Sequence, residues 1–302
     1  MKTLKNGTLW LDTDGNPIHA HGGWILFHEG WYYWYGEDRR ERYYVSCYRS
    51  RNLTDWEFRR HILTMDSRME AYRVRTKLEL QNEDGGKVNL ERPKVLFNEK
   101  TGKFVLWAHF ENGRDYTAAA TAAATCDTPD GDFTYHGHFN PYGYMSRDCT
   151  LFQDDDGTAY FISAARDNAD LHVYRLTDDY MNVERLVHRL WQGEYREAPA
   201  VAKIKGRYYM LTSFCTGWEP NQAKYAWADA MEGRWSRLLE IGDETTYHSQ
   251  PAFLLQKDGR TLYFGDRWGG DGEAYFSSSY VVYPLELTEG KLVIKPVEEI
   301  WL

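Results

Sequence analysis

The segment Glu197-Ala198-Pro199-Ala200-Val201-Ala202-Lys203-Ile204-Lys205-Gly206-Arg207-Tyr208-Tyr209-Met210-Leu211 decides the fold. An acid precedes an apolar run (201–204), a polar turn with Gly206 and an aromatic run. That order reads as a β-hairpin whose glycine supplies the positive φ of a tight turn. It recurs four times, at 22–27, Gly30 and 32–35; at 94–97, Gly102 and 104–107; at 150–152, Gly157 and 159–162; and at 253–255, Gly259 and 262–264. Self-similarity of this kind is the mark of a repeat architecture.

Two more strands are predicted after each hairpin. They fall at 45–48 and 56–58, at 118–125 and 133–135, at 171–176 and 181–186, at 224–228 and 235–236, and at 280–287 and 292–294. Four antiparallel strands per repeat make one blade, so the prediction is an all-β, five-bladed β-propeller around a central channel. The blade cores lie near 21–60, 91–136, 148–188, 197–238 and 250–295. Alanine favours helix, yet Ala118 to Ala124 is read as a strand because the repeat requires one there and small side chains let blades approach closely. The first unit is longer than the others, and its excess, 65–89, reads as an excursion near the rim. No linker interrupts the pattern, so 1–302 is expected to be a single catalytic domain without an accessory module.

Ahead of each inner strand stands a polar residue: His21, Glu91, Asp148, Glu197 and Gln250. The turn glycine follows nine residues later in four repeats and eleven after Glu91. Equivalent positions on the inner strands of a propeller converge on its axis, so these five residues should form one site. Three carboxyls in one pocket raise the pKa of at least one, which then serves as a general acid near neutral pH. Paired carboxyls are the machinery of glycoside hydrolysis. Arg92, Arg147 and Arg196 adjoin the three acids; since strand neighbours point to opposite faces, they either lock the strands from behind or pair with a carboxylate. Trp218, on the Gly-containing loop Cys215-Thr216-Gly217-Trp218, can offer a ring face to a sugar.

The 302 residues include 12 Trp and 23 Tyr, and the net charge is −9. Such aromatic content suits β packing and sugar binding. The charge argues against nucleic-acid and anionic-membrane partners. Phosphate-loop, zinc-helix and Gly-x-Ser-x-Gly motifs are absent, and the ten histidines do not cluster at metal spacing. Cys47, Cys126, Cys149 and Cys215 are far apart and are expected to be free thiols. No apolar run approaches the ~20 residues of a membrane span. Met1-Lys2-Thr3-Leu4-Lys5 lacks a signal-peptide core, so a cytoplasmic protein is expected, although a secreted or periplasmic one with its signal removed would read the same.

Several stretches resemble glycoside hydrolase family 43, and within it the branch that includes exo-β-1,3-galactanases. They are Ala20-His21-Gly22-Gly23, Tyr33-Trp34-Tyr35-Gly36-Glu37, Glu91-Arg92-Pro93-Lys94-Val95, Ser146-Arg147-Asp148-Cys149-Thr150-Leu151-Phe152, Arg196-Glu197-Ala198-Pro199-Ala200, Cys215-Thr216-Gly217-Trp218, Ser249-Gln250 and Gly265-Asp266-Arg267-Trp268. The resemblance runs along nearly the whole chain. It implies a five-bladed propeller and an inverting hydrolase with Glu197 as general acid and Asp148 tuning it. The family's usual base, an Asp on the first inner strand, is replaced here by His21-Gly22. The galactanase branch shares that absence, and its fifth-blade Gln, matching Gln250, is assigned the water as an imidic-acid tautomer; Glu91 is the other candidate base. In an inverting enzyme the acid and base carboxyls stand roughly 6.5–9.5 Å apart. The resemblance also implies Tyr116, Asn168, Thr216 and Trp218 as sugar-binding, and His21, Arg92 and Arg267 complete the expected substrate-binding set. No cofactor is required, and a calcium ion in the channel is an option that no residue demands. The expected activity is exo-release of galactose from β-1,3-galactan or its oligosaccharides. An α-L-arabinofuranosidase or β-D-galactofuranosidase of the same family, and a sugar-binding propeller without catalysis, are the alternatives.

Overall fold

In the computed structural model, which describes residues 3–73 and 76–302, each repeat folds into one four-stranded antiparallel sheet. Met1 and Lys2 of the N-terminal reading, and Val74 and Arg75 of the excursion, lie outside the described residues. The first blade contains His21–His28, Trp31–Glu37, Tyr43–Ser50 and Glu57–Thr64. The second contains Asn89–Asn98, Lys103–Glu111, Ala120–Cys126 and Thr134–Phe139. Cys149–Gln153, Ala159–Ala165, Asp170–Leu176 and Val183–Leu190 make the third. Arg196–Ile204, Arg207–Phe214, Lys224–Ala228 and Leu239–Glu240 make the fourth. Gln250–Lys257, Arg260–Arg267, Ser279–Thr288 and Lys291–Ile294 make the fifth. The first strands of neighbouring blades touch all the way round, which closes the five-bladed propeller.

Hydrophobic clusters fill the spaces between blades. The alanine strand shows how a good helix former is held in a sheet. Ala120, Ala122 and Ala124 pack toward the first blade with Tyr35 and Tyr44, while Ala123 packs the other way with Trp107 and Phe161. Both faces are buried against bulky neighbours, so tertiary packing overrides local propensity. The excursion lies along the outer edge of the second blade, where Met69 bridges Tyr135 and Lys77 bridges His138.

The fourth blade's outer strand differs from expectation. It is Leu239–Glu240, so the blade extends past 238, and 235–236 is not a strand. Trp235 turns inward against Met231, Met210 and Tyr160, because burying the indole outweighs continuing the edge ladder.

In four inner strands the pairing register slips just after the ring residue, between His21 and Trp24, Glu91 and Lys94, Glu197 and Ala200, and Pro251 and Phe253. These are β-bulges, which re-aim side chains. Gly22, Arg92 and Ala198 adopt φ of 56°, 54° and 50° there. At Gly22 a β-carbon would stand 2.5 Å from Glu37 Oε1, so any larger residue would have to displace that carboxylate.

The chain ends meet in a two-stranded sheet of Leu4–Lys5 and Glu299–Ile300. Asn6 ties this sheet to the fifth blade: its amide donates to the Val282 and Val297 carbonyls at 2.9 Å each and accepts from Val282 N at 2.7 Å. Replacing Asn6 by Ala should remove about 2 kcal/mol of stability, read as a melting temperature lower by several degrees with the β-rich circular dichroism spectrum retained.

Candidate active site

Glu91, Asp148, Glu197 and Gln250 line one cavity of about 290 Å³ on the propeller axis, near the lower end of ligand pockets. Arg92, Tyr116, Asn168 and Trp218 line it too, as expected, while Glu37, Arg39, His109, Arg147, Cys215, Gly217 and Trp268 complete the wall. Three expected residues do not reach it. His21 is buried beside it, where Nδ1 meets Asp266 Oδ1 at 3.0 Å and the ring stacks on Tyr280. The Thr216 hydroxyl holds its own loop, donating to Glu219 O and accepting from Asn221 Nδ2, both at 2.7 Å. Arg267 faces a neighbouring depression and donates to Tyr283 Oη at 3.1 Å.

The three arginines beside the acids divide between the two expected behaviours. Arg196 is buried behind its strand, donating to Thr212 Oγ1 at 3.0 Å and Thr212 O at 2.6 Å. Arg147 lines the cavity and bonds Tyr116 O at 2.9 Å and Asp167 at 3.1 Å. Arg92 should point away from the cavity if Glu91 points in. Its left-handed bulge breaks the alternation, and Nε reaches Asp148 Oδ2 at 3.1 Å.

Glu197 is 9% exposed. It accepts from Gln250 Nε2 at 3.0 Å, from Asn168 Nδ2 at 3.2 Å and from the Cys215 thiol. Burial, followed by the nearby charge of Asp148, pushes its pKa up to about 7. Asp148 also accepts from Ala198 N at 3.2 Å, an amide that the bulge aims at it.

Glu91 is placed in the opposite electrostatic setting. It meets Arg39 at 3.0 Å, the Tyr116 hydroxyl at 2.7 Å and His109 at 3.3 Å. Burial works to raise its pKa, but these donors outweigh it and hold it down to about 2. His109 also meets Glu111 at 2.9 Å; burial opposes its charge, yet the two carboxylates raise its pKa to about 9. Glu37, whose pKa is raised by burial, accepts from Arg39 at 3.1 Å and from Arg92 N at 3.1 Å. Gln250 has every position in use. Its nitrogen donates to Glu197 and, at 2.9 Å, to Ser213 Oγ; its oxygen accepts from the Arg92 guanidinium and, at 2.7 Å, from Trp268 Nε1.

Residues 15–237 match the model of the family described as glycosyl hydrolases family 43. The chain belongs to that family. Among solved family 43 structures it is 44% identical to an exo-β-1,3-galactanase from Clostridium thermocellum (TM-score 0.89), with 99% of this chain and 66% of that one covered. It is 31% identical to a β-1,3-galactosidase solved with galactodeoxynojirimycin (TM-score 0.88; 99% and 100% covered). It is 34% identical to an exo-β-1,3-galactanase from Phanerochaete chrysosporium solved with β-1,3-galactotriose (TM-score 0.87; 99% and 68% covered). A curated xylan 1,3-β-xylosidase from a Vibrio species is 29% identical over 104 residues, 33% of this chain and 19% of that enzyme. The chain thus spans about two thirds of the bacterial galactanase.

This family 43 site holds residues that the sequence reading missed. Glu37, His109, Ser213 and Asp266 stand directly across the ladder from His21, Glu91, Glu197 and Gln250. Each comes seven residues after its turn glycine, as does Ala164 in the third blade. The count that finds the first ring therefore also finds this second tier. Arg39, Cys215 and Trp268, which also line the cavity, follow two residues beyond Glu37, Ser213 and Asp266, so the same count, nine past the turn glycine, reaches them as well.

Glu91, His109 and Asp148 lie close enough to touch one ion. This donor set is a poor fit to calcium, which takes six to eight oxygens: one donor is an imidazole whose raised pKa favours its protonated form, and both carboxylates already face cationic side chains. By carbon-13 NMR the Glu197 carboxyl should titrate near 7. In Asp148→Asn it should titrate at least about one unit lower, yet above an ordinary glutamate because burial remains.

Proposed function

We propose that this family 43 chain is an inverting, exo-acting hydrolase that releases terminal galactose from β-1,3-galactan or its oligosaccharides. The observation that carries the reading is the setting of Glu197. It is a buried carboxyl with a raised pKa, and the amides of Gln250 and Asn168 and the Cys215 thiol all present donors to it. A proton on Glu197 is thereby left for a group in the cavity. The galactanase and galactosidase relatives support galactose as that group's sugar.

In the proposed reaction Glu197 gives its proton to the glycosidic oxygen as the bond from that oxygen to the anomeric carbon breaks. Water adds to the anomeric carbon from the opposite face and loses a proton to Glu91. Glu91 is a weak base, but the oxocarbenium-like transition state asks little of the water. It is also the better of the two candidates. Gln250's oxygen is held by a cation and an indole N–H, which oppose its protonation, so Gln250 serves to orient Glu197 and Arg92. Asp148 keeps the Glu197 proton in place near neutral pH, and Tyr116, Arg39 and the Trp218 and Trp268 rings bind the sugar.

A panel of β-1,3-galactobiose and nitrophenyl galactopyranoside, galactofuranoside and arabinofuranoside tests the substrate. Galactobiose should be cleaved fastest, with α-galactose as the first anomer by NMR; preference for a furanoside overturns the galactose reading. Glu197→Ala should lower kcat by at least about 1,000-fold, and wild-type turnover in that variant would refute the hydrolytic assignment. The reaction needs Glu91 ionised and Glu197 protonated, so kcat/KM should stay level through mildly acidic pH and fall as pH rises through about 7. Azide should restore activity to Glu91→Ala and not to Gln250→Ala; the reverse result assigns the water to the amide.

A further inference from the structure

Beneath the cavity lies a charge that this reaction leaves unused. Lys94 is wholly buried, 0% exposed, and forms no ion pair among the described residues. Its ammonium donates to the Gly22 carbonyl at 2.6 Å and the Arg92 carbonyl at 3.3 Å. Both acceptors belong to left-handed bulge residues of adjacent blades. Their amides are taken from the other side by carboxylates: Gly22 N donates to Asp266 Oδ2 at 3.0 Å, and Arg92 N to Glu37 Oε1 at 3.1 Å. Each bulge is therefore gripped at its carbonyl by the lysine and at its amide by an acid.

A left-handed conformation costs energy at a non-glycine residue such as Arg92 and persists only where its surroundings fix it. Burying an ammonium without a carboxylate partner is costly as well, and an apolar chain of equal length would fill the space at less expense. Packing alone thus gives no reason for a lysine here. Its ammonium instead touches the bulge from which Arg92 leaves the strand. The guanidinium then reaches Asp148, Gln250 and, at 2.8 Å, the Pro251 carbonyl.

We propose that Lys94 is a positioning residue for the hydrolytic site: its ammonium clamps the bulges of the first two blades and so sets Arg92 against Asp148 and Gln250. The inference rests on the hydrolase reading above for its catalytic consequence, and on geometry alone for the clamp.

The test compares Lys94→Met, Arg92→Met and the double variant on the best substrate of the panel. Lys94→Met should lower kcat at least about 50-fold while KM stays within about threefold. If Lys94 acts through Arg92, the double variant should be no slower than Arg92→Met alone. A Lys94→Met kcat within threefold of wild type, or losses that multiply in the double variant, overturns the proposal. Lys94→Leu, which likewise removes the donor, takes its place if the methionine variant does not fold, with the same outcomes. A crystal structure of the Lys94 variant reads the clamp without substrate. Departure of the guanidinium from Asp148 supports it, and an unmoved Arg92 refutes it even if the wild type cleaves nothing, a result that would itself sink only the hydrolase reading.

Discussion

One buried guanidinium ties the site together. Arg92 belongs to the second blade, yet its amide is held by Glu37 of the first, and its side chain meets Asp148 of the third and Gln250 of the fifth. Glu197 of the fourth is joined to it through Gln250, and Asp148 grips the amide of Ala198 next to Glu197. Five sheets that share no interblade ladder are thus bridged by one cation. Its charge also makes the crowding of Glu37, Asp148 and Glu197 tolerable, since like charges in a dry pocket otherwise drive one another to protonate.

The two best-placed carboxyls differ through their neighbours. Both Glu91 and Glu197 are nearly buried and sit at corresponding positions of two repeats. Glu91 faces Arg39, His109 and a phenol, whereas Glu197 faces amides, a thiol and another acid. One is held ionised, and the other keeps its proton until the pH rises to about 7. The same repeat position therefore holds two carboxyls of opposite proton affinity.

The repeat made the fold readable. A glycine turn between apolar and aromatic runs, found five times, gave the sheets, and the fixed count to each turn gave the ring. That count works because a β-hairpin's register is rigid. What it could not convey is the bulge: one extra residue leaves the sequence pattern intact and turns Arg92 into the cavity. His21 was misplaced for a related reason. It occupies the ring position, but Asp266 and Tyr280 hold it behind the wall. Thr216 and Arg267 sit on a loop and at a strand end, where side-chain direction depends on local contacts that no periodicity encodes. Trp235 shows the same limit at the outer edge, where a short strand yields to the burial of one large ring.

The chain ends carry a last consequence. They pair with each other, while every blade is made from one unbroken run of sequence. Here the latch is a separate two-stranded clip outside the blades, so sealing the circle and composing its sheets are independent. A circular permutant of residues 4–300 that opens between any two blades would still contain five whole sheets in the same cyclic order.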